Sequence, residues 1–372
     1  MIEFIAEYGL FLLKTATIIV GIIVILAMII NAGHRQHPAT RGEIRVTNLG
    51  ETIKDHSQAI KNEVMSKHQF KQALKQEKQD DKKKDKEEKQ QLKAKKKSEQ
   101  NTNSTETDDT REESTPSADD KARVYVIDFD GDVEASDVES MREEITAILS
   151  AANKGDEVMV RLKSPGGMVH SYGLAASQLQ RVRQAGYELT IAVDEVAASG
   201  GYMMACVGDN ITAAPFAVIG SIGVVAELPN FHRLLKKANV DYEQHTAGDY
   251  KRTLTMFGEN TSHGRDKFKE DLEETHVLFK SFINQNRPQL DLDKVATGEH
   301  WYGSQAKELG LVDALGTSDD WIMTALKDKD VYAVKYNIKK PISERLSVSL
   351  SRGVEKLLTK LIHRSSKQDL FK

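Results

Sequence analysis

Ser199 is the residue whose neighbours most strongly suggest chemistry. It lies in VAASGGYMMACVGD, where two alanines precede it and two glycines follow it at a predicted strand-to-helix turn. Small neighbours allow a substrate backbone to approach the hydroxyl, and glycine permits a turn whose N–H groups face the same space, as an oxyanion requires. The residues alone leave a second interpretation open, in which Ser199 only caps the helix that follows.

A pair of glycines upstream offers further N–H groups. Gly166 and Gly167 in KSPGGMVHSYG close a strand, and a helix starts at Val169. Glycines at a helix start can bind phosphate, but the chain has neither GxxxxGK[ST] nor GxGxxG, so the sequence does not support nucleotide binding. An oxyanion hole would suit this turn if Ser199 lies opposite, and an ordinary tight turn is the alternative.

A nucleophilic serine needs a base, and the folded region offers histidines and lysines. None of five histidines has neighbours that mark it as a base: His170, His232, His245, His263 and His276. A lysine side chain accepts a proton near neutral pH only when burial or a cationic neighbour lowers its pKa from about 10.4. Lys251, in HTAGDYKRTLTMFG, lies beside Arg252 in a loop of mixed polarity and is therefore a candidate.

Composition argues against several other classes of protein. The 52 Lys and Arg residues against 56 Asp and Glu give a net charge of −4, which disfavours binding of nucleic acid through a global basic field. Cys206 is the only cysteine, so an intrachain disulfide, a CxxC redox pair and a cysteine-rich zinc site are all impossible.

The elements that must position these residues alternate between strand and helix from residue 122 onward. ARVYVIDFDG, DEVMVRLKSPGG and YELTIAVDEV read as strands, and SDVESMREEITAILSAAN, opened by Ser136, and VHSYGLAASQLQRVRQAG read as helices between them. This pattern predicts an α/β domain over 122–330 with mainly parallel strands. The apolar stretch 189–228 is interrupted by acids at Asp194, Glu195 and Asp209, so it is interpreted as the domain's buried core.

The N-terminal third has a different character. After a short segment, 1–9, the apolar run LFLLKTATIIVGIIVILAMII over 10–30 is long enough for a transmembrane helix, with Lys14 close enough to the end to reach the interface. Glu3 and Glu7 before the run argue against a cleavable signal peptide, and a buried core helix is the other alternative. Residues 31–121 are predicted to be a charged linker, disordered or helical, because 71–120 contains 13 Lys and Arg with 14 Asp and Glu. Residues 331–372 are predicted to be a C-terminal extension.

Four motifs in order resemble a known family. AASGGY around Ser199, the upstream SPGG, the downstream GSIGVV and Lys251, 52 residues after Ser199, are together similar to the signal peptide peptidase A family of serine proteases. Within this family the chain resembles the SohB branch. Members of that branch are similar to it in having one N-terminal membrane span, a charged region and a single protease domain. The resemblance covers essentially the whole chain, and WYGSQAKELGLVDALGTSDD resembles the family's closing segment.

The resemblance implies a ClpP/crotonase-like fold and a Ser-Lys dyad without metal or cofactor. Ser199 matches the nucleophile, Lys251 the general base, and Ser221 in GSIGVV a serine that hydrogen-bonds the lysine; Gly166 or Gly167 with Gly200 match the oxyanion-hole region. The implied substrates are peptides or proteins, among them signal-peptide remnants and membrane proteins. The implied assembly is a homo-oligomer, anchored in lipid by its N-terminal helix and without a nucleic-acid partner.

Two other functions and the side of the membrane remain open from the sequence. A crotonase-like acyl-CoA enzyme would use the same oxyanion hole, and a non-enzymatic membrane scaffold could keep the fold. The chain is expected to be a single-pass protein of the bacterial inner membrane. Basic residues after the span, including Arg35, Arg41 and Arg45, favour a cytoplasmic domain by the positive-inside rule. The family resemblance points to the periplasm, and we expect a periplasmic domain on that ground.

Overall fold

The computed structural model describes residues 42–72, 74–76, 79 and 121–338, together with Thr17. The chain divides into two compact units, 1–43 with 336–372 and 44–335, and nearly all described residues belong to the second. The predicted transmembrane helix at 10–30, most of the predicted linker and the extension after 338 lie outside the described residues. Across the residues that are described, every helix is too short or too polar to span a bilayer.

A seven-stranded sheet forms the centre of the second unit, with the strands in the order β1-β10-β2-β3-β4-β6-β9. The pairs from β10 to β9 are parallel, and in register Val126 lies opposite Met159 and Met159 opposite Thr190. β2, β3 and β4 are nearly continuous apolar runs, as expected for strands covered on both faces. The strands are β1 Glu43–Asn48, β2 Arg123–Asp130, β3 Glu157–Lys163, β4 Glu188–Val193, β6 Asn210–Ala213, β9 Ala314–Leu315 and β10 Asp330–Asn337.

Helices cover both faces of this sheet. Two of them pack against the main core with apolar residues three to four apart, such as Met141 and Ile145 on α2 and Ala175 and Leu179 on α3. The helices are α1 Leu49–Val64, α2 Val138–Ala151, α3 Val169–Gln184, α4 Gly200–Ala205, α5 His232–Lys237, α6 Ser262–Asn286, α7 Leu292–Val295, α8 Gly303–Glu308 and α9 Ser318–Ala325. The alternating pattern therefore gives the α/β fold that the sequence predicts.

A small second sheet carries the candidate site. Its strands are β5 Val196–Ala198, β7 Val218–Gly220 and β8 His300–Tyr302. β5 and β7 are parallel, β7 and β8 are antiparallel, and Ser164 at the end of β3 bridges to Ala197. Because β5 ends at Ala198 and α4 begins at Gly200, Ser199 occupies the turn between them.

The large sheet extends beyond the predicted domain limits of 122–330 at both ends. β1 and α1 lie inside the range expected to be linker, and β10 continues to Asn337. β1 is mostly exposed, and the alternation of polar and apolar residues in EIRVT, with apolar Ile44 and Val46, was the signal that could have marked it as a strand. α1 is held by tertiary packing, with Leu49 and Ile53 against the cluster that contains Val126 and Met159.

Candidate active site

Ser199 sits in a strained turn between β5 and α4. Its φ of 52° and ψ of −118° lie in a region that non-glycine residues rarely adopt. The Ser199 N–H donates to the carbonyl of Gly220 at 2.8 Å, and its carbonyl accepts from the N–H of Met203 at 3.0 Å. The hydroxyl makes no capping hydrogen bond to α4. The backbone therefore starts the helix, and the partly exposed side chain is not used as a helix cap.

Glycines at 200 and 201 are required by close packing beneath this turn. A Cβ atom at Gly200 would lie 2.4 Å from Cγ of Tyr172, and one at Gly201 would lie 2.4 Å from the carbonyl oxygen of Ser164. No side chain fits at either place. The start of α4 thus lies directly on α3 and on the end of β3.

The turn containing Gly166 and Gly167 lies against Ser199. The Ser164 N–H donates to Val196 O at 2.8 Å, and the Ala198 N–H donates to Ser164 O at 3.0 Å. Gly166 has a φ of 90°, and a Cβ atom there would lie 2.7 Å from the N of Gly200 and 2.8 Å from Cβ of Ser199. The structure therefore brings Gly166, Ser199 and Gly200 together, as the sequence analysis expects.

The N–H groups in this region differ in availability. The Gly166 N–H donates to Oγ of Ser164 at 3.1 Å, so it is used within its own turn. Within 121–338, the N–H groups of Gly167 and Gly200 donate to no protein acceptor. Gly166 consequently contributes close packing, and Gly167 and Gly200 provide the two available donors.

Lys251 lies in the loop between α5 and α6 and is exposed. Its N–H donates to Gly248 O at 3.2 Å. Among the residues described from 121 to 338, Lys251 forms no ion pair, and no hydrogen bond joins its Nζ to Ser199 or Ser221. The part of the chain that the structure describes thus contains no hydrogen bond between the two members of the predicted dyad.

The segment after Lys251 is fixed by side-chain amides. Nδ2 of Asn230 donates to the carbonyls of Thr255 at 2.8 Å and Gly258 at 3.0 Å. Oδ1 of Asn260 accepts from the Thr255 N–H at 2.8 Å. A cavity of about 670 Å³ between this segment and Tyr242 includes Lys251 in its lining. The lysine therefore projects from a loop whose following turn is well defined.

Lys267 on α6 is a neighbouring lysine with different electrostatics. Its Nζ is 2.9 Å from Oε2 of Glu270 and 3.1 Å from Oδ1 of Asp271, and it lies 5.6 Å from the ring centroid of Tyr250. Hydrogen bonds that Lys267 donates to Glu270 and then to Asp271 raise the pKa of Lys267 well above its usual value. Because it stays protonated, Lys267 is unsuited to act as a base near neutral pH.

Ser221 is next to the Ser199 turn. It follows Gly220, whose carbonyl accepts from the Ser199 N–H, and its own N–H donates to Glu299 O at 2.7 Å. Its φ of 50° is a second strained value in the site. Trp301 packs on Gly220, where a Cβ atom would lie 2.8 Å from the indole. The structure therefore places Ser221 near Ser199 without a contact to Lys251 within the described chain.

Sequence reasoning missed two buried polar residues below the site. Ser164 and Tyr172 are fully buried, and their hydroxyl oxygens lie 2.6 Å apart. Both belong to the motif SPGGMVHSY, and Tyr172 lies on the apolar face of α3 with Ala175, Ala176 and Leu179. A hydroxyl on an otherwise apolar helix face was the signal that could have identified them.

Histidines and metal-binding clusters offer no competing centre in the described part of the chain. No hydrogen bond joins Ser199 to a histidine there, and His170 and His263 are exposed. His300, which the sequence analysis did not consider, lies opposite Gly220 on β8. Residues 121–338 also contain no group of three His, Cys, Asp or Glu side chains arranged to hold a metal ion.

Comparison with known proteins identifies related sequences over almost the whole chain. The model of the N-terminal region of peptidase family S49 matches residues 3–179, and the model of peptidase family S49 itself matches residues 181–332. The "Probable protease SohB" of Haemophilus influenzae is 48% identical over 365 residues, which cover 98% of this chain and 97% of that protein. The protein of the same name from Buchnera aphidicola subsp. Acyrthosiphon pisum is 55% identical over 241 residues, covering 65% of this chain and 72% of the relative.

Solved structures give a more distant match. A mutant of the 1510-N membrane-bound stomatin-specific protease aligns over 55% of this chain and 84% of its own, with 14% sequence identity and a TM-score of 0.36.

Proposed function

Because the chain belongs to peptidase family S49, in the branch of the SohB proteases, we propose that Ser199 is its nucleophile and Lys251 its general base. Membership of the family makes the protein a peptidase. The observation that carries the assignment of Ser199 is its strained turn, in which the hydroxyl is not used as a helix cap. Strain of this kind concentrates at functional sites.

The proposed reaction is acyl transfer through a covalent intermediate. Ser199 Oγ attacks the peptide carbonyl carbon while neutral Lys251 takes the hydroxyl proton. The tetrahedral intermediate then collapses, Lys251 gives its proton to the leaving amine, and the acyl group stays on Ser199. Water activated by Lys251 attacks the acyl-enzyme, which releases the second product and restores the hydroxyl. Every proton in this cycle passes through the lysine.

We assign the oxyanion hole to the N–H groups of Gly167 and Gly200. Both lack a protein acceptor within 121–338, and Gly200 directly follows the nucleophile. Gly166 is excluded as a donor because its N–H is held by Ser164 Oγ, and its role is to let the turn approach Ser199. Donors that are already oriented stabilise the developing negative charge without reorganisation.

Assembly into a homo-oligomer would complete the site. Large aromatic side chains are exposed around the segment that carries Lys251: Tyr250 is 55% exposed, Tyr242 43% and Phe257 42%, and the last two line the same cavity as Lys251. Exposed apolar surface of this kind favours a protein interface. Covering the segment would remove water from Lys251, which favours the neutral form that a base requires.

We further propose that residues 10–30 anchor the enzyme in the bacterial inner membrane with the protease domain in the periplasm. An extended peptide can reach the partly exposed turn at Ser199, so signal-peptide remnants and unfolded segments of membrane proteins are suitable substrates. Adding a protease to spheroplasts tests the orientation. Digestion of the region after residue 30 supports the periplasm, and full protection would place the domain in the cytoplasm.

Labelling with a serine-reactive fluorophosphonate, followed by peptide mapping, tests the assignment of the nucleophile. The expected result is a phosphonylated Ser199 in the full-length protein and no label in Ser199→Ala. Ser150→Ala, which removes an exposed helix hydroxyl, is the matched control and should label normally. Absence of label on Ser199 in the wild-type protein would favour a scaffold, and binding of an acyl-CoA in its place would favour a crotonase-like enzyme.

A further inference from the structure

A buried chain of hydrogen bonds connects α3 to the turn that carries Gly166 and Gly167. Oη of Tyr172 donates to the carbonyl of Asp132 at 2.7 Å and lies 2.6 Å from Oγ of Ser164. The Gly166 N–H donates to that Oγ at 3.1 Å. The single hydroxyl proton of Tyr172 is donated to the carbonyl of Asp132, so the hydroxyl of Ser164 must donate to Oη of Tyr172. The direction of each of the three hydrogen bonds is therefore defined.

Because both hydroxyls are buried, water cannot take the place of these hydrogen bonds. Tyr172 and Ser164 have no exposed surface, so water has no access to either hydroxyl. Burial raises the pKa of Tyr172, and the hydrogen bond with Ser164 offsets only part of that effect. Tyr172 therefore stays protonated at neutral pH and remains a donor.

The same tyrosine also supports the other side of the site. Its ring packs so closely on Gly200 that a Cβ atom there would lie 2.4 Å from Cγ of Tyr172. The carbonyl of Ser164 accepts from the Ala198 N–H, one residue before Ser199. Two buried residues thus contact the Gly166 turn, the end of β5 and the start of α4.

We propose that Tyr172 and Ser164 are positioning residues that hold the N–H groups of Gly167 and Gly200 at the separation and orientation an oxyanion needs. This inference rests on the proposed function, since it assigns a role within the same site. Neither residue touches the substrate. Without the hydroxyl of Tyr172, Ser164 Oγ loses its acceptor and can rotate, so the Gly166 turn is no longer fixed against α4.

Steady-state peptide cleavage by the full-length protein tests the proposal. Tyr172→Phe and Ser164→Ala should each lower kcat about 10- to 100-fold, less than the roughly 100- to 1000-fold caused by deleting an oxyanion donor. KM should stay within about twofold, because the oxyanion forms only after the substrate has bound. The double variant should be little worse than the more damaged single variant, since both changes break one chain of hydrogen bonds.

Tyr187→Phe is the matched control. Its hydroxyl also donates to a backbone carbonyl, that of Ala152 at 2.9 Å, at the C-terminal end of α2. Its kcat should match that of the wild-type protein. A second readout is inhibition by a peptide aldehyde, whose adduct with serine carries a tetrahedral oxyanion. Its inhibition constant should rise in Tyr172→Phe by the same factor as kcat falls, which a loss of stability alone would not cause.

The outcomes separate this proposal from the proposed function. An unchanged kcat in both Tyr172→Phe and Ser164→Ala, with Ser199→Ala inactive, would overturn the positioning role alone. A fall in kcat shared equally by Tyr187→Phe would overturn it as well. If Ser199→Ala retained full activity, the proposed function and this role would both be wrong. Melting temperatures of all the variants identify any that fail to fold, and Ser164→Ala then decides if Tyr172→Phe does not fold.

Discussion

At the scale of single residues, Ser199 combines a strained backbone with a hydroxyl that forms no capping hydrogen bond to α4. A sparsely populated conformation costs on the order of 1–3 kcal/mol and persists only where the surroundings enforce it. Here the Ser199 N–H is bound to Gly220 O and the next residue is packed on Tyr172. The strain is therefore imposed from both sides of the turn.

Replacing Ser199 by glycine should release this strain. Glycine adopts a φ of 52° without penalty. Its greater conformational freedom in the unfolded chain lowers the stability by roughly 0.5–1 kcal/mol, which offsets part of the gain. Ser199→Gly should consequently be more stable than Ser199→Ala by about 1 kcal/mol, with both variants inactive. Urea unfolding of the two variants measures the difference. A glycine variant less stable than the alanine variant would show that the turn is not strained.

Ser221 should have a smaller effect than the dyad residues. If its hydroxyl only orients Lys251, Ser221→Ala should lower kcat about 10- to 100-fold, as loss of outer-shell support does in metal sites. Ser150→Ala, which removes a helix hydroxyl bonded to Thr146 O, is the control and should cleave peptides at the wild-type rate. Wild-type activity in Ser221→Ala would show that the Ser221 hydroxyl does not orient Lys251.

At the scale of elements, the end of α6 is held to the large sheet by one ion pair. Arg287, only 5% exposed at its side chain, is 2.7 Å from Asp313, which also accepts from the Ile211 N–H at 2.8 Å. Burial alone would raise the pKa of Asp313, but the hydrogen bonds from Arg287 and Ile211 bring it below its usual value. The helix that follows the Lys251 loop is anchored by this pair.

The pair should make stability depend on pH. A carboxyl whose pKa is lower in the folded state stabilises that state above the unfolded pKa of about 3.9, and the contribution is lost as pH falls through the folded value. Asp313→Asn should therefore cost about 1–3 kcal/mol at pH 7 and much less near pH 3. Asp128→Asn, which breaks the more exposed pair with Arg161, should cost under about 1 kcal/mol. Urea unfolding at both pH values measures this, and a pH-independent loss in Asp313→Asn would contradict it.

The elements differ in how far the sequence predicts them. The strands and helices from β2 to α4 have strong periodicity, so the turns at Gly166 and Ser199 could be located in advance. The start of α2 at Val138, two residues after the predicted Ser136, is an ordinary boundary error. The sequence analysis missed β1, because its alternation of polar and apolar residues is short and its pairing partner, β10, lies nearly 290 residues away in sequence. The hydrogen bond between Ser164 and Tyr172 joins residues only eight apart in sequence, but it forms only because α3 packs back on the end of β3.

At the scale of the whole molecule, the separation of Lys251 from Ser199 is the main feature that the sequence did not predict. Both residues match the family motifs, yet Lys251 is exposed and forms no hydrogen bond with Ser199 or Ser221 in the described chain. Tyr242 and Phe257, which line the same cavity as Lys251, are also exposed in the described chain. We expect a neighbouring copy to supply both the cover and the lysine.

Mixing two inactive variants tests this arrangement. Oligomers formed from Ser199→Ala and Lys251→Ala together should cleave peptides, because a lysine from the first can serve a serine of the second. Mixing Lys251→Ala with the double variant is the control and should give no activity, since neither protein has the lysine. Light scattering on the detergent-solubilised protein should show a species larger than a monomer. A monomeric mass at all concentrations would contradict the assembly.

The dyad itself is tested most directly by the peptide cleavage rate of Lys251→Ala. The expected rate is indistinguishable from that of Ser199→Ala and of the double variant, because residues that act on one transition state do not add. Lys251→Arg should fail in the same way, since a guanidinium stays protonated and cannot accept the hydroxyl proton. Near-normal cleavage by Lys251→Ala would contradict the dyad, and the base would then have to be sought among the histidines, beginning with His170 and His300.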